Sequence, residues 1–197
     1  MNNIAFFDFD GTITTKDTLW EIIRFQKGTP ALFAGWLVMS PVLVMFKLKM
    51  ISNQRTKELM LKYHFGGTSL QEFQQRCDVF CKETLSSMIR PGAKAEIAKH
   101  QAEGTRVIVV TASAENWVAP WCKEMGIECI GSKLAVQDGK ITGMLTGLNC
   151  NGDEKVCRIE AAVDLKAYGK IYAYGDSSGD KQMLAIAQEP NFRPFRN

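Results

Sequence analysis

The residues best suited to chemistry in this sequence are acids that directly follow apolar segments. The segment IAFF is followed by Asp8 and Asp10, and a later apolar segment ends in Asp176, with Asp180 shortly after it. Carboxylates gathered at one buried edge repel each other and are costly to bury unless a cation lies among them. Because oxygen ligands without histidine or thiolate favour Mg²⁺, the pattern predicts a Mg²⁺ site.

A hydroxyl and an ammonium group add a second kind of site to this pattern. Residues 107–110 predict a buried strand that stops at Thr111, and Lys155 lies near the start of a predicted helix. These two groups could hold the oxygens of a phosphoryl group on the side away from a cation. Gly11 lets the backbone turn tightly after the first acids, and its N–H can point at an anion.

The threonine and the lysine each have alternatives. Ser113 offers another hydroxyl two residues after Thr111, which we prefer because it directly ends the predicted strand. Lys133 and Lys166 are alternatives to Lys155, which we prefer because it lies just before an amphipathic helix.

The elements that must position these residues alternate between strands and helices. Short apolar runs typical of strands buried on both faces occur at residues 4–7, 107–110, 127–130 and 170–176. Asp138-Gly139 predicts a hairpin turn. Helices are predicted at residues 93–102, 115–125, 153–165 and 183–187. The alternation predicts an α/β fold, a three-layer αβα Rossmann-like parallel sheet whose site lies at the carboxyl ends of the strands.

A block of helices interrupts this alternation after the first strand. Helices are predicted at residues 17–26, 52–63 and 69–88. We expect a break or kink near Pro41, because proline lacks an N–H and clashes with the preceding turn. Residues 14–88 therefore form an insertion, and residues 1–13 and 89–197 form the domain that contains the sheet.

The insertion contains a segment without charge, residues 28–46. Its 19 residues approach the roughly 20 that span a bilayer. We favour a helix packed against its neighbours in the insertion. The alternatives are a membrane span, or peripheral membrane contact through residues 28–49, with Trp20, Trp36 and nearby lysines at the headgroups.

Composition narrows the class of protein and its compartment. Hydrophobic residues make up 46% and charged residues 23% of 197 residues, which is typical of a folded globular protein. The net charge of +3 gives no reason to expect nucleic acid as a partner. The six cysteines form no C-x-x-C pair, and no basic region precedes the first strand. We therefore expect reduced thiols, no signal peptide and a cytoplasmic protein.

Four short motifs carry a resemblance to a known family. DFDGT, the threonine of VIVVTAS, the downstream Lys155 and GDSSGD resemble, in order, the motifs of the haloacid dehalogenase-like phosphatase superfamily. The insertion after the first motif resembles the helical cap of the phosphoserine phosphatase-like branch, subclass IB. The resemblance implies a Mg²⁺-dependent phosphatase that hydrolyses a phosphate monoester through an aspartyl-phosphate intermediate.

The resemblance also implies a role for each residue of the motifs. Asp8 is the nucleophile, and Asp10 is the general acid that later activates water. Phosphoryl oxygens are bound by Thr111 and Lys155, and Gly11 lies beside them. The implied Mg²⁺ ligands are Asp8, the backbone carbonyl of Asp10 and Asp176. Asp180 would support the ion through a water or through these ligands.

The leaving group is less defined by the sequence. Asp17 lies where the branch places an acid facing the substrate, although it would serve equally well as a helix N-cap. Gly179 and Gly11 replace an asparagine and a serine common in phosphoserine phosphatases, which argues against phosphoserine. The apolar insertion resembles that of phosphatidylglycerophosphatase C-like proteins, so a lipid or other amphiphilic phosphate is an alternative substrate. A non-catalytic phosphate-binding or membrane-adaptor domain is the remote alternative, and the oligomeric state stays open.

Overall fold

A six-stranded sheet forms the centre of the computed structural model, which describes residues 2–196. The strands are β1 (Ile4–Phe7), β2 (Arg106–Ala114), β3 (Glu128–Gln137), β4 (Lys140–Thr146), β5 (Ile171–Gly175) and β6 (Glu189–Phe192). Their order is β4-β3-β2-β1-β5-β6, and only the β3–β4 pair is antiparallel. The predicted α/β fold with a mostly parallel sheet is therefore confirmed.

Helices cover both faces of this sheet. They are α1 (Thr18–Lys27), α2 (Thr29–Lys47), α3 (Asn53–Phe65), α4 (Leu70–Glu83), α5 (Pro91–Ala102), α6 (Glu115–Glu124), α7 (Asp153–Ala162) and α8 (Lys181–Ala185). Successive side chains of a strand point to opposite faces. In β1, Ala5 and Phe7 enter one hydrophobic core, and Ile4 and Phe6 enter the other. Burial on both faces explains why this strand is continuously apolar.

Several predicted elements have other boundaries in the structure. The strand predicted to stop at Thr111 continues to Ala114, because Ala114 pairs with Ser132 of β3 after a register shift. The predicted strand at 127–130 joins the first arm of the hairpin in β3. The helix predicted over 69–88 ends at Glu83, and a separate 3₁₀ turn follows.

The break expected near Pro41 is absent, because α2 runs without interruption from Thr29 to Lys47. Proline cannot donate to the carbonyl of Leu37, four residues earlier. The side chain of Ser40 donates to that carbonyl instead, with an Oγ–O distance of 2.8 Å. The serine before the proline therefore satisfies the acceptor that the proline leaves free.

The first four helices lie within the predicted insertion, residues 14–88, and the two ends of the insertion meet. Thr14 and Ile89 form an antiparallel bridge. Next to it, Arg90 N donates to Ile13 O over 2.8 Å and Thr15 N to Met88 O over 2.9 Å. The chain therefore leaves the sheet and returns to it at neighbouring points.

Most of the residues of helix α2 are exposed or only half-buried. Only Leu32 and Gly35 of its residues are buried, whereas Leu37 is 77% exposed. The segment packs against its neighbours α1 and α3, as expected, but they leave most of its apolar surface uncovered. By length and composition, α2 is the one helix among residues 2–196 that could cross a membrane.

Candidate active site

The first acids are held at the end of β1 by a tight turn. Asp8 N donates to Tyr174 O over 2.8 Å, which extends the pairing with β5 by one residue. Gly11 then has φ +82°, and a Cβ there would lie 2.6 Å from Asp176 Oδ2. A side chain at this position would be strained and would also collide with the acid. Glycine thus allows the ends of β1 and β5 to bring their acids together.

Lys155 links the acids of the two strand ends. Its Nζ donates to Asp8 Oδ1 over 2.6 Å, to Asp180 Oδ1 over 2.7 Å and to Val110 O over 2.8 Å. Burial alone would lower the pKa of this lysine, but the charges of Asp8 and Asp180 raise it above its usual range. The ammonium group is therefore charged and has all three N–H groups paired.

The other lysines that were considered for this role lie elsewhere. Lys133 and Lys166 are exposed on the surface, whereas the side chain of Lys155 is 1% exposed. The structure therefore places Lys155 among the acids.

Asp8, Asp176 and Asp180 form a buried cluster of carboxylates. One oxygen of each lies within 4.8 Å of the others. Burial raises the pKa of Asp8 to about 7, although Lys155 opposes the shift. Asp180 Oδ2 is occupied by donors from Ser177, its N at 2.9 Å and its Oγ at 2.8 Å. This arrangement fits a hard divalent cation bound mainly by the first two acids, with Asp180 acting from behind them.

Asp10 has a separate set of partners. Its Oδ1 accepts from Thr18 N over 2.6 Å, and its Oδ2 accepts from Ser113 Oγ over 2.6 Å. The hydroxyl of Thr18 in turn accepts from Trp117 Nε1 over 3.0 Å. These contacts fix the carboxylate away from the three-acid cluster, where it could exchange a proton with a substrate oxygen.

Thr111 and Ser113 both lie in the last part of β2, but only Ser113 lines the cavity. Thr111 is fully buried, and its Oγ1 accepts from Ser113 N over 3.0 Å. The reason for preferring Thr111, its place at the strand end, is wrong because the strand continues. Its binding of a phosphoryl oxygen stays a prediction.

The acids face a cavity of about 400 Å³ between the sheet edge and the inserted helices. The inserted segment contributes Thr15, Lys16, Asp17, Leu19, Asn53 and Lys57 to the lining. Asp17 also serves as the N-cap of α1, since its Oδ1 accepts from Leu19 N over 2.9 Å. The two interpretations of this acid are therefore compatible.

Lys57 of α3 is a site residue that the sequence did not indicate. Its Nζ donates to Ala112 O over 2.8 Å and to Asn149 Oδ1 over 3.0 Å. Burial lowers its pKa, and the charges of Asp10 and Asp17 oppose the shift. Nothing in the sequence of α3 distinguishes this lysine, because its partners come from distant parts of the chain.

The pKa of Asp17 supports a test by thermal unfolding. Desolvation in the wall of the cavity, which solvent still reaches, and then the charge of Asp10, raise this pKa from 3.8 to about 6. The ionised acid therefore lowers stability as the pH rises through that range. We expect Asp17→Asn, which keeps the cap acceptor, to raise stability by about 1 kcal/mol at pH 7.5, a small value because solvent reaches the side chain. At pH 4 the difference in melting temperature should vanish. An Asp17→Asn variant that is less stable than wild type at pH 7.5 would contradict the raised pKa of Asp17.

Comparison with known proteins shows the family to which this sequence is similar. Residues 5–185 match the family model for haloacid dehalogenase-like hydrolases. The protein CicA of Caulobacter vibrioides is 34% identical over 96% of this chain and 85% of its own length. A histidinol-phosphatase of Neisseria meningitidis serogroup C is 27% identical over 96% of this chain and 89% of its own.

Solved structures share the fold. A protein of unknown function from Bordetella pertussis aligns with a TM-score of 0.80 at 21% identity, over 95% of this chain and 87% of its own. A phosphoserine phosphatase, solved as an analogue of its phospho-aspartyl intermediate, aligns with a TM-score of 0.67 at 18% identity, over 94% and 83% of the two chains.

Proposed function

This chain belongs to the haloacid dehalogenase-like hydrolase family, and we propose that it is a Mg²⁺-dependent phosphatase acting through an aspartyl-phosphate on Asp8. One observation carries the proposal. Lys155 is buried between Asp8 and Asp180 while Asp10 is held separately, which supplies a nucleophile, a charge partner and a proton carrier at one sheet edge.

The proposed reaction has two displacements at phosphorus. In the first, a carboxylate oxygen of Asp8 bonds to phosphorus, the bond to the leaving oxygen breaks, and Asp10 gives that oxygen a proton. In the second, water attacks phosphorus and passes a proton to Asp10, and the bond to Asp8 breaks to release phosphate. Water is the acceptor we propose.

Asp8, Asp176 and the backbone carbonyl of Asp10 would hold Mg²⁺, and Asp180 would support it. When bound, the ion would neutralise charge on the phosphoryl group and on the acids around it. Lys155 holds Asp8 in place, and both Lys155 and Thr111 are proposed to bind phosphoryl oxygens. Gly11 contributes backbone close to the same group.

Residues 14–88 are proposed to be a cap of the phosphoserine phosphatase-like type, subclass IB, on a core of residues 1–13 and 89–197. The bridge between Thr14 and Ile89 supports these boundaries. Asp17 and Lys57 extend from this segment into the cavity, so we propose that the cap contacts the leaving group. A leaving group that carries a hydrogen-bond donor, from which Asp17 could accept, and an anionic group, which Lys57 could bind, would match this pair.

The test is phosphate release from a panel of monoesters, with Mg²⁺ or with EDTA. The panel includes phosphoserine, histidinol phosphate, sugar phosphates, nucleotides and phosphatidylglycerophosphate in detergent. We expect release with Mg²⁺ only, and the preferred substrate identifies the leaving group. Release that EDTA leaves unchanged, or no release from any substrate by folded protein with Mg²⁺, would contradict the proposal.

A lipid or amphiphilic phosphate is the second candidate substrate, in line with a phosphatidylglycerophosphatase C-like enzyme, and the surface of α2 favours it. No acidic residue occurs between Glu21 and Glu58, and this stretch contains six basic residues. An exposed apolar helix with Lys47 and Lys49 at its C-terminal end fits an anionic membrane surface. We propose peripheral contact through residues 28–49 by an otherwise cytoplasmic enzyme, whose six cysteines are free.

Vesicle binding tests this contact. We expect wild type to sediment with vesicles containing phosphatidylglycerol, and Leu37→Glu to lower the partition coefficient about tenfold or more, because Leu37 would lose its burial in the bilayer. Val79→Glu, a charge at an exposed apolar residue of α4, should bind as wild type does. Equal binding by all three proteins, or a dimer that buries α2, would contradict membrane contact.

A further inference from the structure

Asn151 is a cavity residue to which the reaction above gives no role. It lies in the turn between β4 and α7, and its backbone N–H donates to Asn149 O over 2.7 Å. The following Gly152 has φ +63° and donates its N–H to Gly179 O over 2.9 Å. The hydrogen bond between Gly152 and Gly179 therefore joins the turn to the loop that follows Asp176. Asn151 lines the cavity next to this hydrogen bond.

Gly179 leaves the space that this amide occupies. A Cβ built on Gly179 would overlap Asn151 Oδ1, far inside van der Waals contact. Gly179 is absent from the described residues with positive φ, so its backbone does not itself demand glycine. What restricts this position is the volume of the neighbouring amide.

Hydrogen-bond donors are scarce on the core side of the cavity. Four core side chains in the described lining can donate: Ser113, Asn151, Lys155 and Ser177. Ser113 donates to Asp10, Ser177 donates to Asp180, and Lys155 has all three N–H groups paired. No partner is found in the described residues for the side chain of Asn151, which leaves its amide N–H groups available to a ligand.

We propose that Asn151 donates a hydrogen bond from Nδ2 to a phosphoryl oxygen of the substrate, and that Gly179 is required to leave room for its amide. This inference rests on the proposed phosphatase function and adds a substrate-binding residue to it. A phosphoryl group has three peripheral oxygens, and a neutral amide can bind one without adding charge beside the acids. Because Asn151 binds one of these oxygens, Lys155 has to give up fewer of its hydrogen bonds to Asp8, Asp180 and Val110 O when the phosphoryl group binds.

The test is a double-mutant cycle between the two positions. Inorganic phosphate is the probe, and its affinity is measured by isothermal titration calorimetry with Mg²⁺, together with kcat/KM for p-nitrophenyl phosphate. We expect Asn151→Ala to weaken phosphate affinity about tenfold to hundredfold, the usual loss for one hydrogen bond to a charged group. Gly179→Ala should cause a similar loss by displacing the amide. The double variant should be no worse than Asn151→Ala alone.

Controls separate this role from folding and from the proposed function. Asn191→Ala, at an amide on β6 that bonds only Glu189 O in the described chain, should bind phosphate as wild type does. Unchanged phosphate affinity in Asn151→Ala, or losses that add in the double variant, would overturn the inference. Because calorimetry does not require turnover, an enzyme that hydrolyses no monoester could still show the predicted loss of affinity. In that case the proposed phosphatase function would be wrong, and the proposed role of Asn151 in phosphate binding would stand.

Discussion

Replacing Asp8 by asparagine should abolish Mg²⁺-dependent phosphate release, with a loss on the order of 10⁴-fold or more in kcat. An amide of the same shape cannot form the bond to phosphorus, and losing a covalent nucleophile is among the largest effects that one substitution produces. The measurement is single-turnover release of phosphate from the preferred monoester. Rapid quenching of a reaction with a monoester that is radiolabelled in its phosphoryl group should trap label on wild type and none on Asp8→Asn.

Asp138→Asn is the matched control for this experiment. Asp138 lies in the exposed hairpin turn with φ +51°, a conformation that asparagine also accepts. Its rate should equal that of wild type. An Asp8→Asn enzyme that keeps a tenth of the rate would assign the nucleophile to another group, while the same variant without turnover but with normal phosphate binding would support the assignment.

Removing the ammonium group of Lys155 should have the largest effect on stability. Lys155→Met leaves the carboxylates of Asp8 and Asp180 buried without their partner, and breaking a buried ion pair from one side costs about 3–5 kcal/mol. Because the remaining cost comes from ionised acids, the loss should be larger at pH 8 than at pH 5, where Asp8 takes up a proton. Urea unfolding followed by tryptophan fluorescence measures it.

Two further measurements make the Lys155 experiment decisive. Lys166→Met, at an exposed lysine, should change the free energy of unfolding by less than about 0.5 kcal/mol. Added Mg²⁺ should restore part of the stability of Lys155→Met, because a cation among the acids replaces some of the missing charge. A Lys155→Met protein as stable as wild type at pH 8 would mean that the acids are not ionised together.

The acidic edge of the sheet could be predicted from the sequence because it depends on strand ends. Asp8 and Asp176 each follow an apolar run, and in a parallel sheet such ends meet at one edge. Lys155 could be placed there because it begins the helix that precedes β5. Elements with strong local signals, such as the Asp138-Gly139 turn, were also predictable.

Residues that depend on distant packing could not be predicted. Lys57 lies at the site because α3 packs closely against β4. The backbone of Lys62 in α3 comes so near to Gly143 in β4 that a Cβ at Gly143 would have no room. Asn151 depends in the same way on the missing side chain at Gly179. In α2, the hydroxyl of Ser40 satisfies the carbonyl that Pro41 leaves without a donor, which the propensity of proline alone does not predict.

The bridge between Thr14 and Ile89 has a consequence for how such an enzyme can diverge. Because the two chain ends meet at neighbouring points, they act as one attachment to the sheet. Lengthening or replacing that segment would add only a slowly growing entropy cost of closing a longer loop. The segment that we propose contacts the leaving group could therefore change in length and sequence while the strand ends that carry the acids keep their positions in the sheet.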